Sequence, residues 1–258
     1  MILSASDLTC GYASKPVLKN VSFSAAEGKC LCILGPNGVG KTTLFKTVLG
    51  LLPAISGAVT IDGEDILKWP EKKRARMIAY VPQSHVPPFP YTVRQVVVMG
   101  RCAYLGLMSS PSAADFDIAD AIMEHLGILH LAGRIYTNIS GGERQMALIA
   151  RALAQEPAFL MMDEPASSLD YGNQAIVLRQ ARQLAAEGIA VIMTTHTPDH
   201  AFLLDADAVL IKRDGTLLAG SSDSVVTEEN LSDAYNIPVC IIEKERDGRL
   251  VKSCVPML

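Results

Sequence analysis

Apolar and polar positions along this chain follow two periods, and the order in which the periods switch predicts its architecture. Residues 2–10 alternate loosely and residues 17–23 alternate clearly, with Gly11-Tyr12 between them, which predicts two antiparallel strands. Lys29-Cys30-Leu31-Cys32-Ile33-Leu34 is an apolar run bounded by glycines, the pattern of a fully buried strand. Residues 43–50 place apolar side chains at helical spacing and stop on Gly50. Ala58-Val59-Thr60-Ile61 reads as a strand closed by Asp62-Gly63, and Met77-Ile78-Ala79-Tyr80-Val81 as one stopped by Pro82.

At Pro87-Pro88-Phe89-Pro90 regular structure stops, because each proline fixes φ and lacks a donor. The period is then helical at residues 92–99, 113–126 and 143–154. Strands resume at Phe159-Leu160-Met161-Met162 and at residues 189–194, separated by a helix over 172–186. That strand–helix–strand rhythm predicts parallel pairing with right-handed crossovers. Two hairpins are expected around Asp214-Gly215 and Asp247-Gly248, with a polar helix at 227–235 between them. The chain therefore reads as one α/β domain over 1–258. Residues 1–86 and 156–258 form the core with an antiparallel β portion, and residues 87–155 form a helical insertion. The segment from about Val225 carries no motif, and packing against the core is its expected role.

Composition narrows the function classes. A formal net charge of −4 argues against a broad nucleic-acid-binding face. The hydrophobic content of 49% leaves apolar surface for a partner, yet no stretch reaches the roughly 20 apolar residues that span a bilayer. The opening Met1-Ile2-Leu3-Ser4-Ala5-Ser6-Asp7 lacks the basic start and apolar stretch of a signal peptide, so a cytosolic location is expected. The six cysteines form no C-x-x-C pair, which predicts reduced, mostly buried thiols.

The chemistry centres on Gly35-Pro36-Asn37-Gly38-Val39-Gly40-Lys41-Thr42, placed between a buried strand and a helix. It fits G-x-x-x-x-G-K-[ST], in which backbone N–H groups and a helix dipole hold phosphate. Lys41 would reach the β- and γ-phosphates, and the Thr42 hydroxyl would hold Mg²⁺. Asp163 and Glu164 stand at the C-terminal end of a buried strand, the edge where parallel α/β sheets bind ligands. Asp163 would hold the metal through water, and Glu164 would act as general base toward the attacking water. Ser140, Gly141, Gly142 and Glu143 open the third motif. Ser140 and Glu143 complete a capping box, but capping gives no reason for two adjacent glycines.

Ile139-Ser140-Gly141-Gly142-Glu143-Arg144-Gln145 resembles the signature motif of the ATP-binding-cassette (ABC) ATPases, and the resemblance covers nearly the whole chain. Ile139 and Glu143 depart from that family's Leu-Ser-Gly-Gly-Gln, while the Ser140-Gly141-Gly142 centre is intact. The resemblance implies a P-loop NTPase (RecA-like) core with an N-terminal antiparallel β subdomain and an inserted α-helical subdomain. It implies ATP and Mg²⁺, and a head-to-tail dimer with a second copy of the chain. In that dimer Ser140, Gly141, Gly142 and Glu143 would cap the γ-phosphate held by the other copy's loop, residues Gly35 to Thr43. Tyr12 matches the aromatic that stacks on adenine, the plain alternative being a tyrosine that closes a hairpin. Gln83 matches the glutamine that touches Mg²⁺ and water, and Ser168-Leu169-Asp170 the loop that communicates across the dimer. His196 matches the histidine at the γ-phosphate. His85, His125, His130 and His200 fit no such role and read as surface or packing residues.

Tyr91-Thr92-Val93-Arg94-Gln95-Val96-Val97-Val98-Met99-Gly100-Arg101 and Leu169-Asp170-Tyr171-Gly172-Asn173-Gln174 resemble the ATPases of metal-chelate importers. That branch handles ferric siderophores, haem, cobalamin or molybdate. The likeness implies an integral-membrane permease, an extracytoplasmic substrate-binding protein, and a peripheral place on the cytoplasmic face of the membrane. Residues 92–99, apolar nearly all round, must be buried in the core or covered by something else; the expectation is a place beside the groove that receives a permease helix, with Arg94 and Arg101 near the contact. A soluble ATPase of the same fold, for example one in iron–sulfur assembly, is the alternative.

Overall fold

The strand Cys30–Leu34 is buried at every position because both faces of its sheet are covered. The computed structural model describes residues 1–12, 15–83, 89–106, 109–246 and 248–257, with backbone only at Arg249. His85, Pro87, Pro88 and Asp247 lie outside the described residues. The elements run β1 (Ile2–Tyr12), β2 (Lys15–Ala26), β3 (Cys30–Leu34), α1 (Lys41–Val48), β4 (Ser56–Ile61), β5 (Glu64–Asp65), α2 (Glu71–Met77) and β6 (Ile78–Val81). The helices α3 (Val93–Val98), α4 (Ala113–His125) and α5 (Gly141–Leu153) follow. Then come β7 (Phe159–Asp163), α6 (Tyr171–Ala186), β8 (Ala190–Thr195), α7 (Asp199–Leu203), β9 (Asp207–Ile211) and β10 (Leu217–Ser221). The chain closes with α8 (Ser222–Val225), α9 (Glu228–Tyr235), β11 (Val239–Arg246) and β12 (Arg249–Pro256).

Three sheets result. The central one has the order β10-β9-β3-β8-β7-β6, parallel from β9 to β6 with β10 antiparallel at one edge. A second, antiparallel sheet has the order β2-β1-β4-β5, and β11 pairs β12 alone. Successive side chains of β3 point to opposite faces. Leu31 and Ile33 join Leu3, Phe45 and Val59 in a core shared with the antiparallel sheet and α1. Cys30, Cys32 and Leu34 join Val97, Ala147, Met162 and Leu178 in a second core shared with the helices. The sheet's C-terminal edge, between these two cores, carries the phosphate loop and the Asp163-Glu164 pair.

Two expectations change. Met77 ends α2 instead of opening β6, because Glu71–Met77 buries no residue and so shows no apolar period to the pattern. Arg101 is the second. The helix that is apolar nearly all round takes the core as its cover: Val93, Val96, Val97 and Val98 are buried, with α4 and α5 packed against α3. Arg101 is not a surface residue. Only 6% exposed, it pairs with Asp115 (3.1 Å) and Glu156 (2.7 Å) and donates to the Ala154 carbonyl (2.8 Å). Reversing its charge would strand these partners, so such a change does not isolate a partner contact. Arg94, half-exposed and bonded to Asp120, remains available at the surface.

All six cysteines are free, but only Cys10, Cys30 and Cys32 are buried; Cys102 is exposed. Burial pushes the Cys30 thiol up to about 11, which keeps it inert at neutral pH. Among the described residues no helix is long and apolar enough to cross a membrane.

Candidate functional site

The phosphate loop leaves β3 at Gly35 and enters α1 at Lys41, and its backbone needs glycine at both ends. Gly35 has φ 150°, and a Cβ there would stand 2.6 Å from the Ile211 carbonyl oxygen. Gly40 has φ 112°, and a Cβ there would meet the Val17 side chain at 2.8 Å. Gly40 caps α1 with no side-chain acceptor, so the first N–H groups of the helix stay open to an anion. Lys41 is buried, with Nζ donating to the carbonyls of Gly35 (2.7 Å) and Pro36 (3.1 Å). Desolvation lowers its pKa, and the Glu164 carboxylate, 3.3 Å away, opposes that shift.

Asp163 ends β7 with 2% of its surface exposed, and Glu164 follows at φ 46°, an unfavourable backbone for a residue with a Cβ. Thr194 on the neighbouring β8 holds both. Its Oγ1 donates to Asp163 Oδ1 (2.6 Å) and accepts from the Glu164 N–H (2.8 Å). Tyr80 donates to Asp163 Oδ2 (3.4 Å); burial and that carboxylate push the phenol up to about 12. The Glu164 side chain is the meeting point. Its Oε2 lies 3.1 Å from His196 Nδ1 and accepts from Gln83 Nε2 (3.4 Å), while Oε1 faces Lys41. Gln83 Nε2 also donates to Ser167 Oγ (3.4 Å), and no bond to its amide oxygen is found among the described residues.

These groups border a cleft of about 480 Å³ lined by Tyr12, Asn37, Gly38, Lys41, Thr42, Thr43, Gln83 and Glu164. Gly35, Pro36, Val39, Asp163 and His196 do not line it. Tyr12 does close the β1–β2 hairpin opposite Lys15, and it is also 53% exposed on the cleft wall. A hollow of about 540 Å³ between the two larger sheets, lined by Ser4, Ser6, Ser22 and Asp207, contains no cationic residue. A phosphate ligand therefore fits the first cleft and not the second.

Ser140, Gly141, Gly142 and Glu143 do not line the cleft. Ser140 caps α5: Glu143 N–H donates to Ser140 Oγ (3.3 Å) and Ser140 N–H to Glu143 Oε2 (2.7 Å). The two glycines differ. A Cβ on Gly142 would stand 2.2 Å from Asn173 Oδ1, so a larger residue there must displace the Asn173 side chain on α6. A Cβ on Gly141 would meet only Leu169, at 3.7 Å, so packing within this chain gives no reason for it.

Sequence reasoning missed three contributors. Thr194 and Ser167 lie inside strand and loop patterns where a hydroxyl has no distinguishing period. Tyr235 comes from the motif-free C-terminal segment, and its hydroxyl donates to the His196 carbonyl (3.2 Å). Beneath that loop His200 is buried, pushed down to about 4 by desolvation. Thr195 Oγ1 accepts from the Thr197 N–H (3.1 Å) and shares a hydrogen bond with His200 Nδ1 (2.9 Å), and burial keeps the ring neutral at pH 7. Between pH 6.5 and 4 the unfolded chain binds a proton that folded His200 refuses. Stability should therefore fall by about 3 kcal/mol as pH drops through that window. Urea unfolding at pH 7 and pH 4.5 should show a shallower loss in His200→Asn.

A glycine-rich loop on a helix start, one buried lysine and an adjacent carboxylate pair define a P-loop nucleotide-binding protein. The family described as ABC transporter matches residues 18–167. An ABC transporter ATP-binding protein of Haemophilus influenzae is 40% identical, covering 98% of this chain and 96% of its own. The hemin import ATP-binding protein HmuV of Nocardia farcinica is 37% identical over 91% of this chain and 81% of its own. A metal-chelate type ABC transporter, solved in an inward-facing conformation, superposes with a TM-score of 0.89. It is 31% identical, covering 99% of this chain and 97% of that one. The chain belongs to the ABC transporter family, as one of its ATP-binding proteins.

Proposed function

We propose that this chain is the ATP-hydrolysing subunit of an importer that takes up a metal chelate such as haem or an iron–siderophore. The observation that carries the hydrolytic part is the convergence of Lys41, Gln83 and His196 on the Glu164 carboxylate at the lip of the phosphate-loop cleft. The importer part is supported by the similarity to HmuV and to the metal-chelate type transporter. Loop residues Gly35 to Thr43 wrap the phosphates, Lys41 neutralises the β- and γ-phosphates, and Tyr12 stacks on the base. Glu164 takes the proton of the attacking water, and His196 bonds the γ-phosphate.

Thr42, Gln83 and Asp163 offer a hydroxyl, an amide oxygen and a carboxylate, the hard oxygen donors that Mg²⁺ prefers. Among the described residues no cluster of three or more His, Cys, Asp or Glu could hold a metal. Thr42, Gln83 and Asp163 would hold the ion together with nucleotide phosphates, as is usual for Mg²⁺. Bound there, Mg²⁺ would supply charge neutralisation at the phosphates.

Ser140, Gly141, Gly142 and Glu143 act on the nucleotide of a second copy, head to tail, which explains why they avoid their own cleft. ATP binding then closes the dimer and hydrolysis releases it. The dimer sits on the cytoplasmic face of the membrane, held by permease subunits that receive substrate from an extracytoplasmic binding protein. Purification from gently solubilised native membranes tests this. A multi-span permease in equal proportion is expected; a soluble partner alone would favour the iron–sulfur type of ATPase. Tyr12→Ala should raise the KM for ATP roughly five-fold at unchanged kcat, since stacking on a base contributes about 1 kcal/mol. Steady-state ATPase assays read both constants.

A further inference from the structure

We propose that the Tyr235 hydroxyl is a positioning group for ATP hydrolysis, fixing the His196 loop beside the base of the phosphate loop. β3 and β8 are parallel neighbours, with Leu34 opposite Thr195. Their next residues, Gly35 and His196, therefore leave the sheet side by side. Gly35 begins the phosphate loop, and His196 begins the segment whose ring meets Glu164. α9 delivers Tyr235 to that junction from its last turn, anchored by buried Leu231 and Ala234. The ring packs against the helical-side core, and the hydroxyl donates to the His196 carbonyl at 3.2 Å. One hydroxyl thus holds the His196 side of a junction whose other side is the phosphate loop.

A second contact from the same C-terminal segment holds the loop further along. The Cys254 N–H on β12 donates to Asp199 Oδ1 (2.6 Å), fixing the start of α7. The segment without a motif therefore braces residues 196–199 at two points. Burial pushes the Tyr235 phenol up to about 12, so it remains a donor at any pH where the protein works. Without the hydroxyl, the His196 peptide loses the bond that fixes its carbonyl, and the imidazole loses its fixed approach to Glu164. The phosphate loop keeps its own restraint, the two bonds from Lys41 Nζ to Gly35 and Pro36. The effect should fall on the chemical step and spare ATP binding.

This role rests on the assignment of Glu164 and His196 to hydrolysis. The test compares full-length wild type, Tyr235→Phe and Tyr235→Leu in steady-state Mg-ATP hydrolysis and thermal unfolding. Tyr235→Phe keeps the ring and should lower kcat about ten-fold, with KM within about two-fold and Tm within about 2 °C. Tyr235→Leu should lose Tm as well, with kcat no lower than in Tyr235→Phe. Wild-type kcat in Tyr235→Phe, or KM rising in step with the loss of kcat, would overturn the positioning role. Failure of the hydrolytic assignment itself shows elsewhere, as undiminished turnover in Glu164→Gln.

Discussion

Glu164→Gln should lower ATP turnover by at least about a hundred-fold and leave the nucleotide bound, because it removes a general base and little else. The substitution keeps size and shape, so the φ 46° backbone and its bond to Thr194 need not move. What changes is proton affinity. A carboxylate 3.3 Å from the Lys41 ammonium and 3.1 Å from His196 Nδ1 can take a proton from water; an amide cannot. The lost negative charge also stops repelling the γ-phosphate, so ATP should bind at least as tightly as in wild type. Each bound ATP would then hold two copies together, and gel filtration with Mg-ATP should show a persistent dimer where wild type returns to monomer. Turnover within two-fold of wild type would remove Glu164 from the base role.

The sequence showed the architecture wherever a period or a glycine marks it. β3, β7 and β8 are apolar runs because both sheet faces are covered, and the Asp214-Gly215 turn announces the β9–β10 hairpin. α2 was hidden because it buries nothing, and α7 and α8 because five and four residues cannot display a helical period. The site divides along the same line. Lys41, Asp163 and Glu164 sit in motifs of fixed spacing that chemistry explains. Thr194 and Tyr235 act through a single hydroxyl each, brought in by strand pairing and by a helix some forty residues downstream of His196. No local pattern encodes such a meeting. Arg101 is the converse case: a legible charge, read as a surface contact, that the fold places inside an ion-pair cluster.

Lys41→Ala should weaken ATP binding by about fifty- to a hundred-fold, and the loss should depend on how many phosphates the nucleotide carries. A hydrogen bond to a charged group contributes about 1.5–3 kcal/mol, and the ammonium is the buried cation facing this cleft. The same Nζ bonds the Gly35 and Pro36 carbonyls, so its removal also loosens the loop that presents the N–H groups. These two causes predict different patterns. If the ammonium acts on the β- and γ-phosphates, ATP and ADP lose most of their affinity while AMP, without either phosphate, changes little. If loosening dominates, all three nucleotides weaken by the same factor. Calorimetric titration of the three against wild type and Lys41→Ala separates the cases, and the graded loss is the expected result. Arginine is a poor substitute at this position: the side chain is only 4% exposed, and the broader guanidinium would crowd Glu164. Lys41→Arg should therefore retain charge yet recover little of the ATP affinity, which separates a need for this ammonium from a need for any cation.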